Sequence, residues 1–582
     1  MNDTRIQCAS NLQNLRDGLI AIGADAIIVA INNSFGNFES GESYLTQISG
    51  YSGSNGRAII TNNEAALCVD GRYTKQANTQ TDNSIWKICT YPDVNTVTLI
   101  SRIMKKGQTL AVGPFSMTYS SYLSILKFAG KIGFVVKLLD RRQFDSLFHI
   151  STPSTTKLFL MDEADVGEPH VDRIKRIKGT LRSGEAVLLT EKSIAGWCAG
   201  IRLRKATDQK SILPNCVVYI SHSERPIVFC DLTLEDVCHD FSFAPLSDFE
   251  DVMSAVDKGL VYCDYSTVSV YFPYILQKLG FGVEASKVDV GQFEAVKNQV
   301  EISNLRTAAE LTSVAFIKAL AYVETRERTT EIEVVNVFKA ELSKNKTFVD
   351  LSFNAISSFG ENTSVVHYNP EVLGNADIEA GGLFLFDAGA HFTSATTDMT
   401  RVVYRGNSQP PANLINVYTT VLKSVIMFST ARFPDKTKAS CLDSIARVLV
   451  WRDGFDYNFG TGHGVGSFGN VHERPSISRG SDESITDGMV ITVEPGVYMP
   501  DFGIRLENMV CTVASAAHQG YVEFETLNFI PFCQKLIDVK SLSLYEVEWL
   551  NDYHALVYEK FRNTFADDLD TFRWLEENTK KI

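Results

Sequence analysis

The sequence predicts two α/β domains followed by a longer unit in which helical and strand-rich stretches are segregated. Three observations carry this expectation. Helix and strand patterns alternate through the first half, a polar proline-containing run at 151–156 interrupts that alternation, and a long helical stretch after about residue 294 gives way to strands. At 582 residues the chain exceeds what one hydrophobic core supports. Its 45% hydrophobic and 21% charged residues are ordinary for a globular protein. A net charge of -14 disfavours nucleic acid and anionic membrane surfaces as partners, which leaves a small substrate as the better expectation.

In the first domain, 1–155, the pattern gives a helix over Ser10–Ile22, a buried strand over Ala26–Ile31, and strands over Arg57–Thr61 and Ala65–Val69. Gly23 and Asp25 break the apolar run Leu19–Val29, so it reads as a helix end and a strand, not as a signal peptide. No uninterrupted apolar stretch reaches the roughly 18 residues that span a bilayer. Ser151-Thr-Pro-Ser-Thr-Thr156 is the expected linker, because proline and hydroxyl residues cannot extend the flanking structure. The second domain, 156–293, shows a basic helix around Val171–Leu181 and strands at Ala186–Leu189, Val217–Ile220 and Ile227–Cys230. The third, 294–582, opens with a helical region reaching Val323 and is expected to be strand-rich from Val349 to Val513. It returns to helix from Leu542 to Ile582, anchored by Trp549, Leu550, Tyr553, Leu556 and Val557. Eleven cysteines in no CxxC pair or framework spacing suggest reduced, buried thiols in a cytoplasmic protein.

The chemistry concentrates in the last third. Leu383-Phe-Leu-Phe-Asp387 reads as a buried strand ending in an acid, and Thr396-Thr-Asp398-Met-Thr-Arg-Val-Val-Tyr404 as a strand opening with one. Met489-Val-Ile-Thr-Val-Glu494 and Gly503-Ile-Arg-Leu-Glu507 repeat the device, so two hairpins with two carboxylates each could face one cleft. Taken singly, each acid could be a turn former or cap, and Glu507 could pair with Arg505 or Arg401. Together, four carboxylates beside apolar strands are costly to bury unless cations neutralise them, which points to a dinuclear metal site. Gly460-Thr-Gly-His463-Gly-Val-Gly-Ser-Phe-Gly469 offers an imidazole. The formal GxGxxG at Gly464, Gly466 and Gly469 is a poor dinucleotide loop, because no helix N-terminus is expected after it to receive a pyrophosphate. The glycines more plausibly let the backbone carry His463 into a crowded centre.

FDAG, TTDMTR, GTGHGVG, TVEPG and GIRLEN, carrying Asp387, Asp398, His463, Glu494 and Glu507, resemble the pita-bread metallopeptidases, and most closely the three-domain Xaa-Pro aminopeptidases. Segments at 48–56, 69–73, 349–358, 366–368 and 470–473 extend the likeness. The resemblance implies creatinase-like α/β front domains and an α+β pita-bread catalytic domain. It implies one metal on Asp387, Asp398 and Glu507 and another on Asp398, His463, Glu494 and Glu507. Manganese is the implied ion, with zinc or cobalt as alternatives. A metal-activated hydroxide would attack the scissile carbonyl, with Glu494 as general base and His367 and His472 handling oxyanion and proton. Tyr498, Arg505 and Phe459 would line the substrate pocket.

The implied substrates are short peptides with proline second, the implied assembly a homodimer, and neither nucleic acid nor membrane is expected as a partner. Two alternatives stay open: a prolidase-type dipeptidase and a non-catalytic peptide-binding module. Phe459 where the related pattern has histidine, and Ala395 where it has glycine, set this pocket apart. The stretch Trp197–Arg204 resembles the family only loosely.

Overall fold

The computed structural model describes residues 2–31, 43–91, 96–148, 156–207, 210–235 and 238–582. The expected linker therefore lies, except for Thr156, outside the described residues. The chain divides into two compact units, one holding most of residues 1–290 and the other most of 291–582.

The first unit contains two six-stranded sheets. In one, the strand order is Trp86–Tyr91, Ala65–Asp70, Arg57–Thr61, Ala26–Ala30, Thr109–Val112, Val135–Leu138. In the other it is Ser242–Ala244, Ile227–Phe229, Val217–Ser221, Glu185–Leu189, Leu260–Cys263, Gly282–Ala285. The central strands are apolar and β-branched and are buried on both faces, as helix-covered sheets require. One hydrophobic cluster joins Ile28, Val112 and Phe115 of the first sheet region to Val217, Phe249 and Phe272 of the second.

The longest helix of the second unit is Gln299–Thr325. Asn298 caps it by accepting from the Val300 and Glu301 N–H groups, while Glu301 reaches back to complete a capping box. Its buried face delivers Phe316 to a trio with Phe338 and Phe386 whose ring centroids lie 5.0 to 5.3 Å apart. A six-stranded antiparallel sheet follows in the order Arg432–Pro434, Tyr521–Thr526, Asn508–Ala514, Val490–Val493, Gly462–Gly464, Glu473–Ile477. A three-stranded sheet sets Gly382–Ala388 between Ile356–Phe359 and Met399–Arg405.

Two expectations are corrected. Two helices, Ala412–Ser429 and Ala439–Arg452, interrupt the stretch expected to be strand-rich. The valines, isoleucines and threonines of the first favour strands locally, but its buried residues Leu414, Val417, Tyr418, Val421 and Val425 recur at helical spacing in an 18-residue helix. Leu556, expected as an anchor, is 46% exposed, because Leu550, Tyr553 and Val557 of its helix turn inward instead. All eleven cysteines are free, nine of them buried. Among the described residues no helix is long and apolar enough to cross a membrane.

His554, on the helix Leu544–Phe561, is fully buried and accepts a hydrogen bond at Nε2 from the Phe532 N–H, 3.1 Å away. Burial, aided by the Arg401 charge, pushes its pKa down from 6.5 to about 3. The unfolded chain therefore takes up a proton below pH 6.5 that the folded chain refuses. The stabilisation is fully present above that pH and is lost at about 1.4 kcal/mol per unit as pH falls toward the folded value. Urea midpoints followed by tryptophan fluorescence should fall less steeply in His554→Gln than in wild type between pH 6.5 and about 5. Equal slopes would remove His554 as a source of acid lability.

Candidate metal centre

Two nested hairpins build the centre. The apolar strand Gly382–Ala388 pairs antiparallel with Met399–Arg405, Asp387 facing Thr400. The short hairpin Ala390–Phe392 with Ala395–Thr396 turns the chain between them, so Asp398 returns just ahead of its strand, beside Asp387. The same arrangement recurs downstream. Val490–Val493 pairs with Asn508–Ala514, and the hairpin Gly496–Tyr498 with Gly503–Arg505 closes the loop. Glu494 leaves the first of these outer strands and Glu507 enters the second. Thr400 joins the two halves: its carbonyl accepts the Glu507 N–H at 3.1 Å and its hydroxyl donates to Glu507 Oε2 at 2.7 Å.

His463 sits on the strand Gly462–Gly464, with backbone pressed against it on two sides. A Cβ on Gly462 would lie 2.0 Å from the Thr492 carbonyl oxygen, and one on Gly464 would lie 1.9 Å from that of Arg474. Glycine is required at both positions by close approach. No helix follows the loop; the chain enters the strand Glu473–Ile477, so no pyrophosphate seat exists there. Behind the loop, Thr461 donates to Asp443 at 2.6 Å, and Asp443 pairs with the buried Arg447 at 2.7 Å. The Thr461 carbonyl accepts the Glu494 N–H at 2.7 Å, which ties the histidine loop to the acid.

The structure brings Asp387, Asp398, His463, Glu494 and Glu507 together. Ligand atoms of Asp387, Asp398 and Glu507 lie within 4.8 Å of one another, as do those of His463, Glu494 and Glu507, and those of Asp398, His463 and His472. His463 Nε2 is 3.5 Å from Asp398 Oδ2 and 3.3 Å from Glu494 Oε1. Its Nδ1–H donates to the Gly464 carbonyl at 2.9 Å, which turns Nε2 toward the carboxylates.

Charge states follow from crowding. Burial pushes the Asp387 carboxyl up to about 7, against the pull of Arg505. Burial raises Asp398 too, and raises Glu507 well above the usual range together with the neighbouring acids. For Glu494 burial acts upward as well, but His463 and Arg505 outweigh it and hold the group low. Burial would lower the His463 imidazole, yet Asp398 and Glu494 raise it well above its ordinary value. Without cations the cluster can be neutralised only by holding protons and by Arg505.

The residues fit a pair of divalent cations. Four carboxylates and one imidazole form a mostly oxygen donor set, and Asp387 Oδ1 is buried without a hydrogen-bond partner. Arg505 pairs with Asp387 Oδ2 and donates to the Tyr498 hydroxyl. Arg401 meets Glu507 only at its backbone carbonyl, 2.6 Å away. Neither arginine therefore takes up the Glu507 carboxylate, as the plainer reading of that residue had allowed.

The remaining expected residues sit around this cluster. The Phe459 ring packs edge-on against Tyr498 at 5.8 Å and lies 5.0 Å from Tyr457. His472 is exposed, its ring centroid 4.2 Å from that of His463. His367 is half-buried and follows Val366, whose carbonyl accepts from Arg505 at 3.4 Å. Sequence reasoning missed two supports. Thr400 lies inside the TTDMTR run, but nothing there announces a bond to an acid 107 residues away. Glu473 fills the space under Gly466 and Gly469, accepting the Asn470 N–H at 2.9 Å and facing Lys297 at 3.4 Å. An acid beside a histidine carries no signal of that role.

Residues 303–514 match the model of metallopeptidase family M24, residues 520–582 that of the C-terminal region of peptidase M24, and residues 11–135 that of the creatinase/prolidase N-terminal domain. The chain is 30% identical to the Probable Xaa-Pro aminopeptidase P of Verticillium alfalfae over 99% of its own length and 100% of the relative's. It belongs to the Xaa-Pro aminopeptidase P family. The relative from Pyricularia oryzae is 31% identical, with 92% of each chain covered. The crystal structure of X-prolyl aminopeptidase from Caenorhabditis elegans, described as a cytosolic enzyme with a di-nuclear active site, superposes with a TM-score of 0.90 at 26% identity. That match covers 99% of this chain and 100% of the nematode one. The aminopeptidase P fold is thus a creatinase-type N-terminal domain with a pita-bread domain that carries the metallopeptidase signature.

Proposed function

We propose that this aminopeptidase P family member removes the N-terminal residue from short peptides with proline in second position, using two manganese ions, as a cytosolic homodimer. The observation that carries the reading is the convergence of four carboxylates and one imidazole on one small volume. Asp398 and Glu507 each belong to the grouping with Asp387 and to a second grouping with His463, which suits them to be shared between two ions. One ion would be held by Asp387, Asp398 and Glu507, the other by Asp398, His463, Glu494 and Glu507. When bound, such a pair supplies Lewis-acid polarisation of a peptide carbonyl and an acidified water nucleophile.

The protein's own groups do the rest. Glu494, with 19% of its side chain exposed against 5% for Asp398 and 9% for Asp387, is the ligand carboxylate most open to the cleft, and it accepts the proton of the attacking water. His472, exposed beside His463, and His367 hold the developing oxyanion and return a proton to the proline nitrogen. That return matters because an imino nitrogen leaves poorly until protonated. Phe459 and Tyr498 present an aromatic wall for the proline ring, and Arg505 fixes the Tyr498 hydroxyl. We read 1–155, 156–293 and 294–582 as three domains, the first two each built on one of the N-terminal sheets.

With added manganese, the purified protein should release arginine from an Arg-Pro-Pro peptide faster than it cuts a Gly-Pro dipeptide, as read by mass spectrometry. A strong preference for the dipeptide would favour prolidase chemistry. No cleavage together with no manganese binding would leave a peptide-binding module.

A further inference from the structure

Away from the carboxylate cluster, another trio of side chains brings three kinds of metal ligand to one point. His170, Cys238 and Asp240 place a ring nitrogen, a thiol and a carboxylate oxygen within 4.8 Å of one another. His170 opens the helix His170–Lys178, while Cys238 and Asp240 precede the strand Ser242–Ala244. Cys238 Sγ is 3.8 Å from His170 Nε2 and 4.0 Å from Asp240 Oδ2, and His170 Nε2 is 3.1 Å from that same oxygen.

Convergence on a single ring nitrogen decides what the trio can do. A thiol activated through histidine would need the carboxylate on the opposite nitrogen, Nδ1, to orient the ring and leave Nε2 for sulfur. Here both partners compete for Nε2, which is the arrangement of ligands around a shared ion. A tetrahedral zinc with bonds of about 2.3 Å to sulfur and 2.0–2.1 Å to nitrogen and oxygen has edges of roughly 3.5 Å for S···N and S···O and roughly 3.3 Å for N···O. The three separations lie within about half an ångström of those edges, so small side-chain rotations suffice to seat the ion.

The surroundings hold the ring in place. Phe241 packs edge-on against it at 5.8 Å, and a Cβ on Gly200 would come within 3.1 Å of the His170 Cβ. We propose that His170, Cys238 and Asp240 form a zinc site, with the fourth position open to solvent beside the 48%-exposed Asp240 side chain. The thiolate and the carboxylate cancel the two charges of the cation, and the imidazole binds neutral. Binding releases the Cys238 proton and moves the His170 proton to Nδ1. A thiolate ligand favours zinc over manganese, so this site and the all-oxygen-and-imidazole cluster would sort metals by softness.

Cobalt tests this directly, because the carboxylate cluster holds no cysteine and only Cys238 ligation gives a thiolate-to-cobalt charge-transfer band. Metal-free full-length protein titrated with Co²⁺ should develop that band, and Zn²⁺ should abolish it. Cys238→Ser should lose the band while keeping peptidase activity. The exposed position makes Asp240→Asn tolerable to the fold, and it should raise the cobalt concentration needed for half-saturation. Asp398→Ala and Cys441→Ser, the latter removing the exposed cysteine, should retain the band. Absence of the band in wild type, or its survival in Cys238→Ser, overturns the site.

Discussion

Asp398→Ala should release arginine from Arg-Pro-Pro at least about a thousandfold more slowly than wild type at saturating manganese. Asp398 is shared between two ligand groupings, so its loss weakens both ions together. Lewis-acid stabilisation by bound metal is worth several kcal/mol in the transition state, and about 4 kcal/mol corresponds to a thousandfold. The fold should not suffer. The Asp398 backbone N–H contacts Met509 Sδ at 3.3 Å whatever the side chain, and deleting one acid from a crowded buried group relieves repulsion. The melting temperature in EDTA should therefore stay level or rise, while manganese raises it less than in wild type. Turnover within tenfold of wild type would remove Asp398 from the reaction.

Arg505→Met should cost the metal-free protein about 3–5 kcal/mol, the usual penalty for stranding one partner of a buried ion pair. Arg505 is 2% exposed, pairs with Asp387, and is the arginine whose charge faces the acids directly. Bound cations supply the same charge, so the loss should shrink markedly in manganese. The pH sign follows from Asp387, whose folded pKa of about 7 lies above its ordinary 3.8. A raised carboxyl contributes stability at low pH that is lost as pH rises through the folded value. Removing Arg505 raises that value further, so the variant's deficit in EDTA should be larger at pH 8 than at pH 6. Thermal unfolding with and without metal reads both effects. An equal drop in EDTA and in manganese would mean that Arg505 acts through packing alone.

Legibility varied with the range of the interaction involved. The strand Gly382–Ala388 was readable because its apolar run is decided locally, as was the helical region ending near Val323 that the structure shows as Gln299–Thr325. The helix Ala412–Ser429 was not, since its many β-branched residues favour strands locally and mask the helical spacing of its buried positions. Within the site, the five clustered side chains could be named from motif and residue type. The partner of Arg505 could not: the sequence offered Glu507, two residues away, whereas the fold brings Asp387 to it from 118 residues away.

The sequence by itself determined which donor atoms are present and which short strands and loops carry them, because ligand chemistry and local propensity are properties of a residue and its neighbours. Tertiary structure alone decided that Thr400 meets Glu507, that Arg505 turns to Asp387, and that among the clustered carboxylates the neighbours His463 and Arg505 hold Glu494 low while the other acids help push Glu507 high. Those outcomes depend on strand register across more than a hundred residues and on exclusion of water. Both are set by the packing of the whole unit and by no segment of it.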